Sequence, residues 1–201
     1  MPSDSVPQVY LIGGPNGAGK TTSALALLEN ELLGVAFVNA DLIAVQLNPA
    51  TPEAMAFQAG RLMLKRIEQL SAARTSFAFE STLATKGFAP FLRQCQEHGY
   101  FVTLLYFWLN SPELAVERVQ RRVSLGGHHV PETDVRRRYE RGLINLHSLY
   151  IPIADYWTVL DNSSGKARSI AEQYQGTSVI IYDEDTWQTI RTGHESTNPN
   201  E

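Results

Sequence analysis

The stretch Gly14-Pro15-Asn16-Gly17-Ala18-Gly19-Lys20-Thr21 constrains this chain more than any other. It satisfies G-x-x-x-x-G-K-[ST] in full, between an apolar run, Val9 to Ile12, and a helix-forming stretch, Thr22 to Leu33, with leucines at helical spacing. Such a loop needs that setting. Its glycines let the backbone curl so that successive N–H groups face inward, and the helix start adds the positive end of its dipole. Gly14 to Thr22 are therefore the expected nucleotide-binding residues for ATP, with Lys20 reaching the β- and γ-phosphates and the Thr21 hydroxyl holding magnesium. A dinucleotide fingerprint G-x-G-x-x-G is absent, because the glycines stand at 14, 17 and 19.

Periodicity and punctuation continue the alternation of strand and helix. Val35 to Val38 reads as a second strand closing on Asn39-Ala40-Asp41, and Thr51-Pro52-Glu53 as the start of a long helix to about Ala73. Ser76 to Phe79 is a third strand ending at Glu80, Phe88 to His98 a helix, and Phe101 to Leu109 an apolar fourth strand. Ser111-Pro112-Glu113 opens another helix to Ser124; a charged helix follows from Glu132 to about Leu149, and Trp157 to Leu160 is a fifth strand. A sixth is expected over Val179 to Tyr182. This alternation predicts an α/β fold with a mostly parallel sheet and helices on both faces; with the phosphate loop it resembles the three-layer P-loop NTPase fold of small P-loop kinases, which implies the strand order 2-3-1-4-5, here with a helical arginine-rich lid. At 201 residues the chain is one domain long. The expected domain spans 1–191, with the lid at about 118–141 and a disordered polar tail over 192–201.

Charge and composition exclude several classes of function. Hydrophobic residues make up 43% and charged residues 19%, a globular balance, and no apolar run reaches membrane-spanning length. The net charge of −4 disfavours nucleic acid as a partner, since proteins that track phosphate backbones are usually basic. One cysteine, Cys95, and an N-terminus without a signal peptide predict a reducing, cytoplasmic setting. The basic residues are nonetheless concentrated: Arg118, Arg121, Arg122, Arg136, Arg137, Arg138 and Arg141 fall between positions 118 and 141. Such a cluster suits one compact phosphorylated ligand.

In a sheet of this order, Asp41 and Glu80 follow the second and third strands and flank the phosphate loop. Asp41 fits a base that accepts the proton of an acceptor hydroxyl, and Glu80 fits a group that orients the acceptor, with Ser81 and Thr82 beside it. Arg118 and Arg122, four apart on one helix face without an acid to neutralise both, are expected to stabilise the transferring phosphate. Arg121 pairs with Glu117 in this scheme, and Arg136 with Glu132 and Glu140. Arg137 with Arg141 forms a second like-charged pair, and Arg138, within reach of Asp134, is ambiguous. Gly126-Gly127 between the two helices reads as the hinge of a closing lid, and His128-His129 as loop residues rather than a metal site. Two other classes remain open: an ATPase or ATP-binding switch that acts through a protein partner, carried by Asp183 after the strand Val179 to Tyr182, and nucleotide binding without chemistry.

Taken together, Gly-Gly-Pro-Asn-Gly-Ala-Gly-Lys-Thr (13–21), Phe-Val-Asn-Ala-Asp-Leu-Ile-Ala (37–44), Phe-Glu-Ser-Thr-Leu (79–83), Ser-Pro-Glu-Leu-Ala-Val-Glu-Arg-Val (111–119), Gly-Gly-His-His-Val-Pro-Glu (126–132), Arg-Arg-Arg-Tyr (136–139) and Asp-Asn-Ser (161–163) resemble the zeta toxin family of P-loop kinases, over about Val9 to Gly165. The resemblance implies ATP-dependent phosphorylation of a hydroxyl, with UDP-N-acetylglucosamine as the leading acceptor and a protein antitoxin as partner. It also implies that Lys20 and Thr21 hold ATP and magnesium, Asp41 is the catalytic base, Glu80 contacts the acceptor, Arg118 serves the phosphates and Asn162 lies near adenine. Where longer members place a second phosphate arginine, this chain has Gly126 to Pro131, leaving that part to Arg122 or to an arginine of 136–138.

Overall fold

Seven strands form a single sheet in the order β2-β3-β1-β4-β5-β6-β7 in a computed structural model that describes residues 6–30, 33–127 and 129–193. β1 (Gln8–Gly13) pairs in parallel with β3 (Phe77–Ser81) and with β4 (Phe101–Trp108), β2 (Ala36–Val38) pairs with β3, and β4 with β5 (Tyr156–Asp161), all parallel. The order 2-3-1-4-5 expected for the first five strands is therefore present. Val9, Leu11, Phe77, Phe79, Val102 and Leu104 are all at most 1% exposed, so the central strands are apolar because helices cover them.

Beyond β5 the sheet turns antiparallel, through β6 (Arg168–Tyr174) to β7 (Ile180–Ile181). β6 has no counterpart in the sequence reading. Its register against β5 shifts between Val159 and Leu160, and Ile170 and Ala171 are buried side by side, so the strand lacks the alternation that advertises one.

The helices are α1 (Lys20–Asn30), α2 (Ala40–Leu47), α3 (Ala56–Ala72), α4 (Phe88–Glu97), α5 (Pro112–Ser124), α6 (Glu132–Asn145) and α7 (Glu184–Thr192). Ser111 caps α5 by accepting from Leu114 N at 3.1 Å, with Pro112 in its first turn, as the sequence signal requires. Thr51-Pro52-Glu53, by contrast, opens only a 3-10 turn, Pro52–Met55, that runs into α3. α2 was not anticipated: Asn39, read as the end of a strand, accepts from Asp41 N at 2.7 Å and Leu42 N at 3.2 Å and so starts a helix. α7 is likewise new, capped by Asp183 and anchored by the buried Trp187 and Ile190. Most of the expected tail, 194–201, lies outside the described residues. Among the described residues no helix is long and apolar enough to cross a membrane.

The candidate lid is the α5–α6 hairpin. Its glycines are accounted for by helix termination: Gly126 has φ +86°, its N–H donates to Val123 O at 2.9 Å, and Gly127 N–H donates to Arg122 O at 2.9 Å. These two bonds are the paired closures of a left-handed glycine cap. A side chain at Gly127 would also lie 2.9 Å from Arg122 O, so close approach requires glycine here.

Candidate active site

Gly13 ends β1, and Gly14 follows it with φ +141°, a conformation open to glycine; a Cβ there would overlap the carbonyl oxygen of Phe107. From that point the chain curls. The Pro15 carbonyl accepts from Ala18 N at 3.2 Å and from Lys20 Nζ at 2.8 Å, so the loop closes on its own lysine. Gly17 and Gly19 both have φ +80°, and Cβ atoms there would meet Ala115 O and the Asn162 amide nitrogen at 3.0 and 2.7 Å. Glycine is thus required on both sides of Ala18, itself fully buried.

In front of this loop lies a cavity of about 360 Å³. Asn16, Gly17, Gly19, Lys20, Thr21 and Thr22 line it from the phosphate loop and α1, and Arg118, Arg122 and Arg138 from α5 and α6. Its remaining wall is Asn39, Ala40, Asp41, Glu80, Ser81 and Thr82. Gly14, Pro15 and Ala18 form the back of the loop and do not line the cavity. Asp41 reaches the cavity from the first turn of α2, and Glu80 from the penultimate position of β3, so the two acids come from consecutive crossovers of the parallel sheet.

Lys20 is the electrostatic centre. Burial lowers its ammonium to about 8, opposed by the carboxylates of Glu80 and Asp41 and reinforced by Arg122 and Arg138. Glu80 is displaced in the other direction: burial raises its carboxyl above the ordinary value, against the pull of Lys20, Thr21 and Asn39. Thr21 Oγ1 donates to Glu80 Oε2 at 3.1 Å, while Glu80 Oε1 is buried with no hydrogen-bond partner among the described residues. A hydroxyl beside a carboxylate with one unused oxygen, next to a phosphate loop, is a donor set that fits magnesium, which takes few protein oxygens and completes its shell with phosphate and water.

The arginines divide into two groups. Arg118 donates to Gly17 O at 3.4 Å and to Ser163 O at 2.7 Å, tying the phosphate loop to the segment after β5. Arg138 reaches Asn16 Oδ1 at 3.5 Å. Arg137 instead pairs with Asp134 and is exposed, and Arg141 is exposed; neither lines the cavity. The ambiguous Asp134 contact thus belongs to Arg137 and leaves Arg138 for the site. Arg136 bonds Glu132 at 2.8 Å, as its spacing suggests, and its second partner is Glu113 of α5 rather than Glu140. His129 lies in the α5–α6 connection, and His128 is outside the described residues.

Asn162 stands behind the loop, donating to Ala18 O at 2.8 Å, and does not line the cavity. Asp183 caps α7 by accepting from Thr186 N at 3.0 Å and pairs with Arg168 at 2.7 Å, at the antiparallel end of the sheet. It lines no part of the cavity. Asn39 is the site residue the sequence reading passed over; its signal was an asparagine directly before the helix formers Ala40 to Ala44.

A family model described as Zeta toxin matches residues 1–190. An uncharacterized protein of Haemophilus influenzae is 31% identical over 126 residues, 63% of this chain and 88% of that one. Among solved structures, the AvrRxo1-ORF1:-ORF2 complex superposes with a TM-score of 0.74 at 16% identity, covering 97% of this chain and 66% of that one. The same pair with ATP gives 0.72 at 16% identity, covering 98% and 67%. The structure from the PezAT chromosomal toxin–antitoxin system of Streptococcus pneumoniae gives 0.64 at 15% identity, covering 96% and 88%. At these identities the likeness is one of fold, and this chain spans about two thirds of the AvrRxo1 chain.

Proposed function

Because the chain belongs to the zeta toxin family, we propose that it is an ATP-dependent phosphotransferase that moves the γ-phosphate of ATP to a hydroxyl of a small acceptor. The observation that carries this is the shared cavity: a phosphate loop with its lysine, two carboxylates opposite it, and three arginines above. Lys20, Arg118, Arg122 and Arg138 supply positive charge where charge develops on the transferring group, and Asp41 is the base that accepts the hydroxyl proton. Glu80, Ser81 and Thr82 face the acceptor. Magnesium, held by Thr21 and Glu80 together with phosphate oxygens, would neutralise the phosphate chain and fix its geometry.

UDP-N-acetylglucosamine is the leading acceptor and a protein antitoxin the leading partner, both carried over from family likeness. One similar structure is of a complex with ATP and another comes from a toxin–antitoxin system, which supports the nucleotide and the partner in turn. The competing ATPase reading through Asp183 loses support from that residue's place as a helix cap paired with Arg168. Asp41→Asn tests the assignment of the base. Phosphoryl transfer should fall by at least about 100-fold while MgATP affinity stays within a few-fold. Intact turnover in that variant would remove Asp41 from the role.

A further inference from the structure

α6 touches both sides of the cavity. Arg138 reaches Asn16 of the phosphate loop, and Gly142, one turn on, lies against the segment that follows β3. A Cβ at Gly142 would sit 2.6 Å from the Thr82 carbonyl oxygen, so helix and loop backbone meet at a separation that glycine alone permits. One further turn on, Asn145 Nδ2 donates to the Leu83 carbonyl at 2.7 Å, with both residues buried. The helix then widens into a π-turn, Leu146–Tyr150, in which Ile151 N–H donates five residues back to Leu146 O at 2.9 Å. Tyr150, at its end, donates its hydroxyl to Thr85 O.

The contacts of Gly142, Asn145 and Tyr150 all fall on backbone carbonyls of one short segment, 82–85, which begins at the cavity-lining Thr82. Its centre is held in an unfavourable shape. Leu83 is fully buried with φ +57°, a left-handed conformation that a branched side chain adopts only when its surroundings impose it. Its N–H donates to Ser81 Oγ at 3.0 Å, and its side chain packs against Gly13, the residue before the phosphate loop. Such over-determined turns cluster where a loop must hold one geometry, and π-turns are frequent at functional sites.

We propose that Gly142 and Asn145 are positioning residues, through which α6 fixes the Ser81–Thr82 wall of the cavity at a set distance from Arg138 on the same helix. The consequence for turnover rests on the phosphotransferase reading; the clamp itself does not.

Two readouts on the full chain separate these, using Gly142→Ala and Asn145→Ala, with Tyr150→Phe as a milder variant that removes one hydroxyl. In amide hydrogen exchange, residues 82–87 should exchange at least about tenfold faster, while 16–20 stay within about twofold of the parent chain. In MgATP turnover, followed with UDP-N-acetylglucosamine and with water alone as acceptor, kcat should fall at least about tenfold while KM for MgATP stays within about threefold. Even acceleration of exchange along the chain would reduce these residues to core packing, and local acceleration with unchanged kcat would end the positioning role. A parent chain that turned over under neither condition would count against the phosphotransferase reading, and the exchange result would still decide the clamp.

Discussion

The side-chain amide of Asn162 donates to the carbonyl of Ala18 at 2.8 Å, joining the end of β5 to the phosphate loop across 144 positions of sequence. The same nitrogen occupies the space that a side chain at residue 19 would need. Replacing Asn162 by Ala leaves a buried carbonyl without its donor, at a cost of about 1–3 kcal/mol. Because that carbonyl belongs to the loop that must present its N–H groups to phosphate, MgATP affinity should fall about tenfold, as measured by calorimetry beside thermal unfolding. A destabilised variant with undiminished affinity would show that the loop keeps its shape without Asn162.

Lys20 makes nucleotide binding pH-dependent. Its ammonium is lowered to about 8, chiefly by burial. A phosphate chain placed against it favours the charged form and raises that value. Below about pH 7 the lysine is protonated with or without ATP, so affinity is insensitive to this group; as pH rises through about 8 the free site loses the proton that the bound site keeps. ATP binding at about pH 8.5 should therefore take up protons and weaken with further rise in pH. Calorimetry in buffers of different ionisation enthalpy reads the uptake directly, and Lys20→Met should abolish it. Proton release from the lysine site, or no exchange at all, would contradict the assignment.

The arginine-rich segment should separate into functional and solvated members. Arg138 lines the cavity, whereas Arg137 is taken up by Asp134 and Arg141 faces solvent. Arg138→Ala should lower kcat at least about tenfold, and Arg137→Ala and Arg141→Ala should stay within about twofold. Equal losses at all three positions would mean that the segment acts through its total charge.

Asp183 is expected to matter for stability alone. It caps α7 and meets Arg168, so Asp183→Ala, which removes both the cap and the ion pair, should lower the unfolding temperature and leave MgATP turnover unchanged. If this substitution stopped turnover in a folded protein, the ATPase reading would replace the phosphotransferase one.

Where local chemistry decides conformation, the sequence was readable. The G-x-x-x-x-G-K-T spacing needs a strand before it and a helix after it, and Ser111-Pro112 can do little other than begin a helix; both stand as expected. Strand order came from the likeness of the phosphate loop to small P-loop kinases, and the first five strands keep it. What was missed depends on tertiary partners. β6 exists because β5 presents an edge and tolerates a shifted register, which no periodicity in Arg168 to Tyr174 encodes. The second strand ends at Val38 as expected, and α2 was hidden because Asn39-Ala40-Asp41 was read as the close of that strand rather than as a cap and first turn. Among the arginines, spacing alone left Asp134 open to Arg138, and only the packing of α6 against the cavity gives it to Arg137. That Gly126-Gly127 also ends α5 was not legible, because the hydrogen bonds to Val123 and Arg122 that make the cap are not visible in composition.

The most direct test of the central claim is mass-resolved phosphoryl transfer. The full chain is incubated with magnesium and ATP labelled in the γ-phosphate, together with UDP-N-acetylglucosamine and a panel of other hydroxyl-bearing metabolites, and the label is traced to every product. A phosphorylated acceptor formed in step with ADP, and lost in Asp41→Asn, is the predicted result. Label that appears only as inorganic phosphate, at a rate indifferent to every acceptor, would contradict it.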